Sequence, residues 1–460
     1  MFNLQDYVDF NKLFQEGILN KEYAGEKYLK VSVHNGKAII RYQKEHLNKD
    51  NVKTLGMFRS VVYHIESNQV ISFSPPKSIP YEDFSKDHSY EEVEPLNFVE
   101  GTMINMFWDP TTNDIEISTK SNIGANCYYS VEKNKTSFND MFSEIFSEIA
   151  KQHDQIVKTQ YEDSDPGYYD CLHNIYPAKR SCFSFVMQHK NNRIVTKIKQ
   201  NALYLVGIYE IDGFVVTPQY GLLTNYQTIV GDVFKTSCWY DGINKYKAPY
   251  YDSHNFDELK SNFEEYDYEY DYMGIVLYSP TTGCHTKLRN PSYEYVRRLK
   301  GNNMKPQYRF HELLKEGDNS QEKVLEYLSY FPEYKCLFDC FQDDIDNIVK
   351  QLYSKYVDCF IHHKYKLKNT TYQYKPHLYE LHNRYINILK PIGTCMSKLY
   401  VRDYVYNLEI PRLMYFTNYN LKFNRGTFNK DSKNDNFEGD IEMGMGRRPR
   451  SEEIYEEENV

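Results

Sequence analysis

The spacing of apolar positions changes near residue 300, and that change divides the chain. From about 28 to 300 the apolar residues come in short period-two or continuous runs: Tyr28 to Val33, Ala38 to Tyr42, Ser60 to Ile65, Val70 to Phe73, Met103 to Trp108, Phe183 to Met187, Leu203 to Tyr209 and Gly274 to Tyr278. Runs of this length predict strands. Phe138, Met141, Phe142, Ile145, Phe146 and Ile149 instead recur at helical spacing and predict a helix over Ser137 to Gln152 among those strands. Past Gly301 the strand patterns thin out. Helical spacing takes over in Ser320 to Tyr330, Phe338 to His362, His377 to Leu389 and Val401 to Leu408, and the ordered chain is expected to end with Leu413 to Asn420. Beyond Lys422 the composition turns to Asn, Asp, Gly, Arg and Glu, with Arg447, Arg448 and Arg450 ahead of an acidic end, which predicts a disordered tail. The resulting plan is a helical lead-in over 1–27, an α+β domain over 28–301, an all-α domain over 302–422 and a tail over 423–460.

Composition agrees with two domains. The 460 residues exceed one ordinary core, and 41% hydrophobic with 26% charged residues is a globular balance. The 45 tyrosines against 2 tryptophans, with frequent Asn and Lys, fit an AT-rich genome, so aromatic content alone argues little about nucleic-acid binding. A net charge of -9 argues against a wholly basic nucleic-acid coat. The acid is concentrated in Glu264 to Asp271 and Ser451 to Val460, which leaves room for a basic cleft elsewhere. Nine cysteines show no metal-ligand spacing; Cys336 and Cys340 sit one helical turn apart with no second pair. No apolar run approaches the roughly 20 residues of a membrane span, and Met1 to Phe14 lacks the regions of a signal peptide. The expectation is a soluble cytoplasmic protein with no membrane partner.

Several short motifs arrive in a telling order. Phe58-Arg59-Ser60-Val61-Val62 is followed by Ser74-Pro75-Pro76-Lys77-Ser78, then Phe98-Val99-Glu100-Gly101-Thr102-Met103 and Ile117 to Gly124 with Lys120. Further on come Phe183-Ser184-Phe185-Val186 with Asn192-Arg193-Ile194-Val195, then Met273-Gly274-Ile275-Val276 and Lys287-Leu288-Arg289. This order resembles the phage-type RNA ligase family of covalent nucleotidyltransferases over about Tyr28 to Gly301, in a branch resembling proteins of large DNA viruses. The resemblance implies an antiparallel β nucleotidyltransferase domain, with the helical remainder as the family's C-terminal domain. It also implies a lysine in a Lys-x-Asp-Gly motif that attacks the α-phosphate of ATP, with Mg2+ as the accompanying ion if the site is active.

The chain departs from that pattern at the chemistry. Phe98 stands at the nucleophile's place and Glu100 at the aspartate's, while Ser184 and Met273 stand where glutamates belong. A phenyl ring cannot form a phosphoramide, and serine and methionine cannot supply carboxylates to a divalent ion. The cations at the matching places remain: Arg59, Lys77, Lys120, Arg193, Lys287 and Arg289, which suit phosphate oxygens. Lys77, after two stiff prolines, is the candidate replacement nucleophile, with Glu100 as the surviving acid; against this stands a plain turn lysine or phosphate clamp. Arg297, Arg298 and Lys300, near Tyr293 and Tyr295, form a candidate RNA-facing stretch, against the reading of a solvated helix face. The His362 to Lys368 run reads as plain surface, and His173, His189 and His285 read as core or surface histidines.

Three functions follow from these residues. The first is a catalytically degenerate ligase-like protein that binds nucleotide or RNA ends through its cations. The second is an active ATP-dependent RNA ligase using a displaced lysine. The third is a structural or virion-associated protein whose partners are other virion proteins.

Overall fold

The computed structural model describes residues 1–128, 136–160, 177, 179–221, 235–236, 253–303, 305–316 and 320–420. These fall into two compact units, Met1–Arg298 and one that starts at Leu299. The α+β order and the helical C-terminal region expected from the pattern are both present, and the predicted tail, 423–460, lies outside the described residues.

The first unit is built from antiparallel sheets. A four-stranded sheet runs Leu29–His34, Lys37–Tyr42, Val61–His64, Gln69–Phe73 in sequence order. The larger sheet has Thr102–Asp109 and Ser181–Gln188 at its centre, flanked by Asp114–Ser118 and Ala202–Asp212. The apolar faces of these two sheets share one core that includes Ile40, Val62, Phe73, Phe107, Cys182 and Ile211. The Ser181–Gln188 strand is buried along nearly its whole length, because the helix starting at Phe138 covers its other face, where the Phe142 and Phe185 rings lie 5.9 Å apart. That double cover explains why its sequence is mostly apolar on both faces, Cys182, Phe183, Phe185, Val186 and Met187 around a single Ser184, rather than an alternation. A third sheet, Glu94–Asn97, Gly274–Tyr278 and His285–Arg289, packs on the helices Tyr81–Asp87 and Phe256–Glu265 through Phe84, Leu259, Phe263, Ile275 and Leu277.

Residues 1–27, expected as a helical lead-in, hold short helices at Phe10–Leu13 and Lys21–Glu26 but also strands. Phe2–Asn3 pairs with Val215–Val216 at the edge of the large sheet, and Phe14–Gln15 pairs with Ile18–Leu19. Two-residue strands are too short to show a period, so only tertiary pairing reveals them. Leu4, Val8, Phe10 and Leu13 are fully buried in the main core.

The second unit is helical: Pro306–Leu313, Ser320–Tyr330, Lys335–Tyr356, Lys375–Arg384, Lys398–Tyr406 and Ile410–Thr417. Two helices expected to run on to His362 and Leu389 instead change into π-helical turns at Val357–Ile361 and Tyr385–Leu389. The sequence period does not reveal the change, since one wider turn shifts a side chain by a single residue. The Phe360 and His382 rings stack here at 3.8 Å, with Tyr356 and Tyr385 beside them.

Candidate functional site

The segment from Phe98 to Gly101 leads from the third sheet into the central strand of the large one, and two glycines fix its path. Gly101 has φ 153° and Gly274 has φ 139°. A Cβ on Gly101 would collide with the Met187 carbonyl oxygen, and one on Gly274 with that of Leu288. Only glycine accepts both the backbone conformation and the close approach. The Phe98 N–H donates to the Gly274 carbonyl at 3.2 Å, so the ring at the expected nucleophile position is held by backbone as well as by burial.

Two cations cover that ring. Lys287 Nζ lies 4.8 Å and the Arg289 guanidinium 5.6 Å from the Phe98 centroid, within cation–π reach. They share a face because they are two residues apart on one strand. Arg289 also donates to Glu294 at 2.7 Å. His285, two residues further back on the same face, is buried, and its Nε2 has no hydrogen-bond partner among the described residues. Burial first, and then the charges of Lys287, Arg59 and Lys77, push its pKa well below the usual histidine range, so the ring is neutral. The Pro75-Pro76-Lys77 turn is pinned against this strand. Lys77 N–H donates to Gly56 O at 2.9 Å, Ile79 N–H to His285 O at 2.9 Å, and the Thr286 hydroxyl to Ile79 O at 2.8 Å.

Of the six predicted phosphate-binding cations, Lys287 and Arg289 meet over Phe98, and the charges of Arg59, Lys77 and Lys287 all act on His285. The Lys120 ammonium lies 5.3 Å from the Tyr42 ring, and the neighbouring Thr119 carbonyl faces the Ser60 hydroxyl at 3.5 Å. Arg193 folds back on its own loop, Nε donating to Val195 O at 3.1 Å.

Glu100 is 4% exposed, and its carboxylate accepts from the Val195 and Thr196 N–H groups and the Thr196 hydroxyl, each at 3.1 Å. The buried Tyr293 hydroxyl adjoins it. Burial first, then the Glu100 charge and hydrogen bond, raise that phenol's pKa. In this placement Glu100 ties three separate segments together. Ser184 donates to Asn105 Oδ1 at 2.8 Å, and Met273 is buried. Asn105 Nδ2, Ser118 Oγ and Ser74 Oγ are buried with no partner among the described residues. Asn105 stands between Ser118 and Ser184 in register, so a polar row crosses three strands of the large sheet.

In the candidate RNA-facing stretch, Tyr293 is fully buried and so unable to stack on a base, while Tyr295 is 41% exposed. Arg297 lies 3.6 Å from Glu294, Arg298 Nε donates to the Glu294 carbonyl, and Lys300 lies 5.7 Å from the Phe331 centroid. The polar row left no sign in the sequence, and His285 read there only as a core or surface histidine; the ring is in the core. The one available signal for His285 was its two-residue spacing from Lys287 in a strand.

The fit to ATP and a divalent ion is uneven. The cation group suits phosphate. Among the described residues no group of three or more His, Cys, Asp or Glu is placed to hold a metal ion, and the Glu100 oxygens are already engaged by backbone. These residues do not fit a divalent ion held by protein carboxylates. Also among the described residues, no helix is long and apolar enough to cross a membrane.

No protein-family profile and no curated protein sequence matches the chain. Among solved structures it is similar to a putative ATP-dependent DNA ligase from Aquifex aeolicus, with TM-score 0.34 and 10% identity over 73% of this chain and 80% of that one. It is also similar to an archaeal ATP-dependent RNA ligase, with TM-score 0.36 and 10% identity over 75% of this chain and 80% of that one. A third likeness is to a Naegleria gruberi RNA ligase mutant with ATP and Mn, with TM-score 0.30 and 10% identity over 49% of this chain and 58% of that one. At these scores no residue role is carried over from them.

Proposed function

We propose that the Met1–Arg298 unit is a ligase-like nucleotidyltransferase domain that has lost the covalent step and binds the phosphate of a nucleotide or an RNA end. The observation that carries this reading is the meeting of Lys287 and Arg289 on the ring of Phe98, beside a neutral His285 whose charged neighbours Lys287, Arg59 and Lys77 are all cations. Lysine ammonium and arginine guanidinium groups gathered near neutral rings match the chemistry of phosphate oxygens. The unpartnered Asn105, Ser118 and Ser74 groups support the same reading, because buried polar atoms without partners are few in native folds and call for an explanation such as a ligand or water.

Lys77 favours one competing reading, since it stands in this cation group with its backbone pinned at Gly56. A displaced lysine nucleophile there would form a covalent nucleotide adduct. Both readings are tested by incubating the protein with α-labelled ATP and GTP, with Mg2+ or Mn2+, followed by denaturing electrophoresis, alongside thermal melting with unlabelled nucleotide. The binding reading expects no labelled band and a Tm that rises with nucleotide concentration, the rise being lost in Arg59→Ala and Lys287→Ala. A band that disappears in Lys77→Ala would establish the enzyme instead. No band and no Tm shift would leave a structural, assembly-type protein.

A further inference from the structure

The second unit has a charge asymmetry that the first unit's site does not use. Between residues 312 and 346 there are ten acidic residues against three basic ones, and between 355 and 402 there are nine basic against two acidic. Both acids of the basic stretch are already occupied. Asp358 pairs with Lys364 at 2.8 Å and Glu380 with Arg384 at 3.1 Å. Lys366, Lys368 and Lys375 are exposed and make no ion pair among the described residues.

Aromatic side chains lie among these cations. Tyr372 is 72% exposed and Tyr379 60% exposed, although large aromatic side chains gain most from burial. Lys375 and Tyr379 are four residues apart on the Lys375–Arg384 helix and so share a face, with Tyr372 just ahead of that helix. Lys366 and Lys368 flank the short turn at Leu367–Asn369, ahead of Tyr372. A surface of exposed lysines with tyrosine rings between them offers ammonium groups to a phosphate backbone and flat faces to unpaired bases. Single-stranded nucleic acid presents both along one strand, whereas in a duplex the bases are stacked away from such rings.

We infer that the Lys366–Tyr379 face of the helical unit is a binding surface for single-stranded nucleic acid, separate from the nucleotide site proposed for the first unit. It rests on the charge and exposure of this face alone, so it stands or falls independently of that reading.

The test is fluorescence anisotropy of the full chain with a labelled 20-nucleotide oligouridylate across 50 to 200 mM KCl. Binding is expected to weaken linearly in log–log form with salt, by about 0.7 per phosphate contacted. The triple variant Lys366→Glu, Lys368→Glu, Lys375→Glu is expected to lose at least about tenfold in affinity at low salt and to flatten the slope by about 2, since three contacts at 0.7 each are removed. Tyr372→Ala with Tyr379→Ala is expected to weaken binding with the salt slope unchanged, because stacking releases no counterions. All five side chains are exposed, so the variants should fold as the parent does. Three results would overturn the inference: oligonucleotide binding untouched by these variants, binding lost only in Arg59→Ala with Lys77→Ala, or capture by phosphatidylserine vesicles with no oligonucleotide binding.

Discussion

Two charged clusters inside the first unit are built on opposite principles. At one end of the sandwich Lys37, 4% exposed, donates to Asp109 at 2.5 Å and to Glu116 at 3.0 Å, joining the four-stranded sheet to the large one. Burial pushes the Lys37 pKa down, but the hydrogen bonds to the two carboxylates outweigh it and leave the ammonium above its ordinary value. Burial is also the largest single influence on Asp109 and raises its carboxyl, but the Lys37 hydrogen bond and charge together with the hydrogen bonds from Thr111 and Thr112 outweigh it and leave the pKa below the ordinary value. Each group holds the other charged. At the candidate site Lys287, Arg59 and Lys77 act on a neutral histidine, and Lys287 and Arg289 cover a phenyl ring. The first cluster closes its charge within the fold and serves as a crosslink. The second gathers cations against neutral rings, with Arg289 also held by Glu294, at a place where two glycines bring strands unusually close, the kind of arrangement proposed for phosphate binding.

The comparison breaks most visibly through Lys37→Met. Leaving Asp109 buried without its cation should cost about 3–5 kcal/mol of unfolding free energy, read by urea denaturation. A loss below about 1 kcal/mol would mean that the cluster is no crosslink. Next in size is Glu100→Gln, which removes the charge from the bonds to Val195 and Thr196. It should cost about 2 kcal/mol while leaving nucleotide-dependent melting in place. If Glu100→Gln instead abolished the nucleotide effect at unchanged stability, Glu100 would be a ligand-contacting acid rather than a structural tie.

The third prediction concerns pH. His285 has a depressed pKa in the folded state, as do His311 and His377 in the helical unit, the latter two at about 4. Below the ordinary value of 6.5 the unfolded chain binds protons that the folded chain refuses, so stability is complete above that value and falls as pH drops from 6.5 toward 4. Each histidine contributes a slope of about 1 kcal/mol per pH unit within that window. His285→Leu should flatten the slope by one such contribution, and an unchanged slope would mean that His285 titrates normally. The smallest stability effect is expected for Lys287→Met, less than half the cost of Lys37→Met in the same urea experiment. Its signature lies elsewhere, in the loss of the nucleotide-dependent Tm rise and a partial return of the His285 pKa toward its ordinary value, since burial and the other two charges remain.

Much of the fold was legible because burial imposes a period. The strands Gly274–Tyr278 and Thr102–Asp109 and the helices Ser320–Tyr330 and Lys375–Arg384 lie where alternation or helical spacing placed them, to within a few residues. The two-residue strands and the π turns were not legible, because neither leaves a period of its own. The candidate site was legible as a set of residue types in order, but not as a set of neighbours. Lys120 and Arg193 read like Arg59 and Lys287 in sequence, yet one lies over Tyr42 and the other folds onto Val195. Tyr293 looked like a stacking residue and is fully buried beside Glu100.

What the sequence determined by itself was chemical identity: that Phe98 cannot carry a nucleotide, that Ser184 and Met273 bring no carboxylate, and that the chain splits into an α+β part and a helical part. Tertiary structure decided which charges meet. Arg59, Lys77 and His285 are far apart along the chain, and only the pairing of Gly274–Tyr278 with His285–Arg289, and the turn pinned at Ile79, bring their fields onto one ring. Side-chain chemistry belongs to a residue alone. Electrostatic meaning belongs to its neighbours, because the interaction of two charges depends on the distance and the dielectric between them, and the fold sets both.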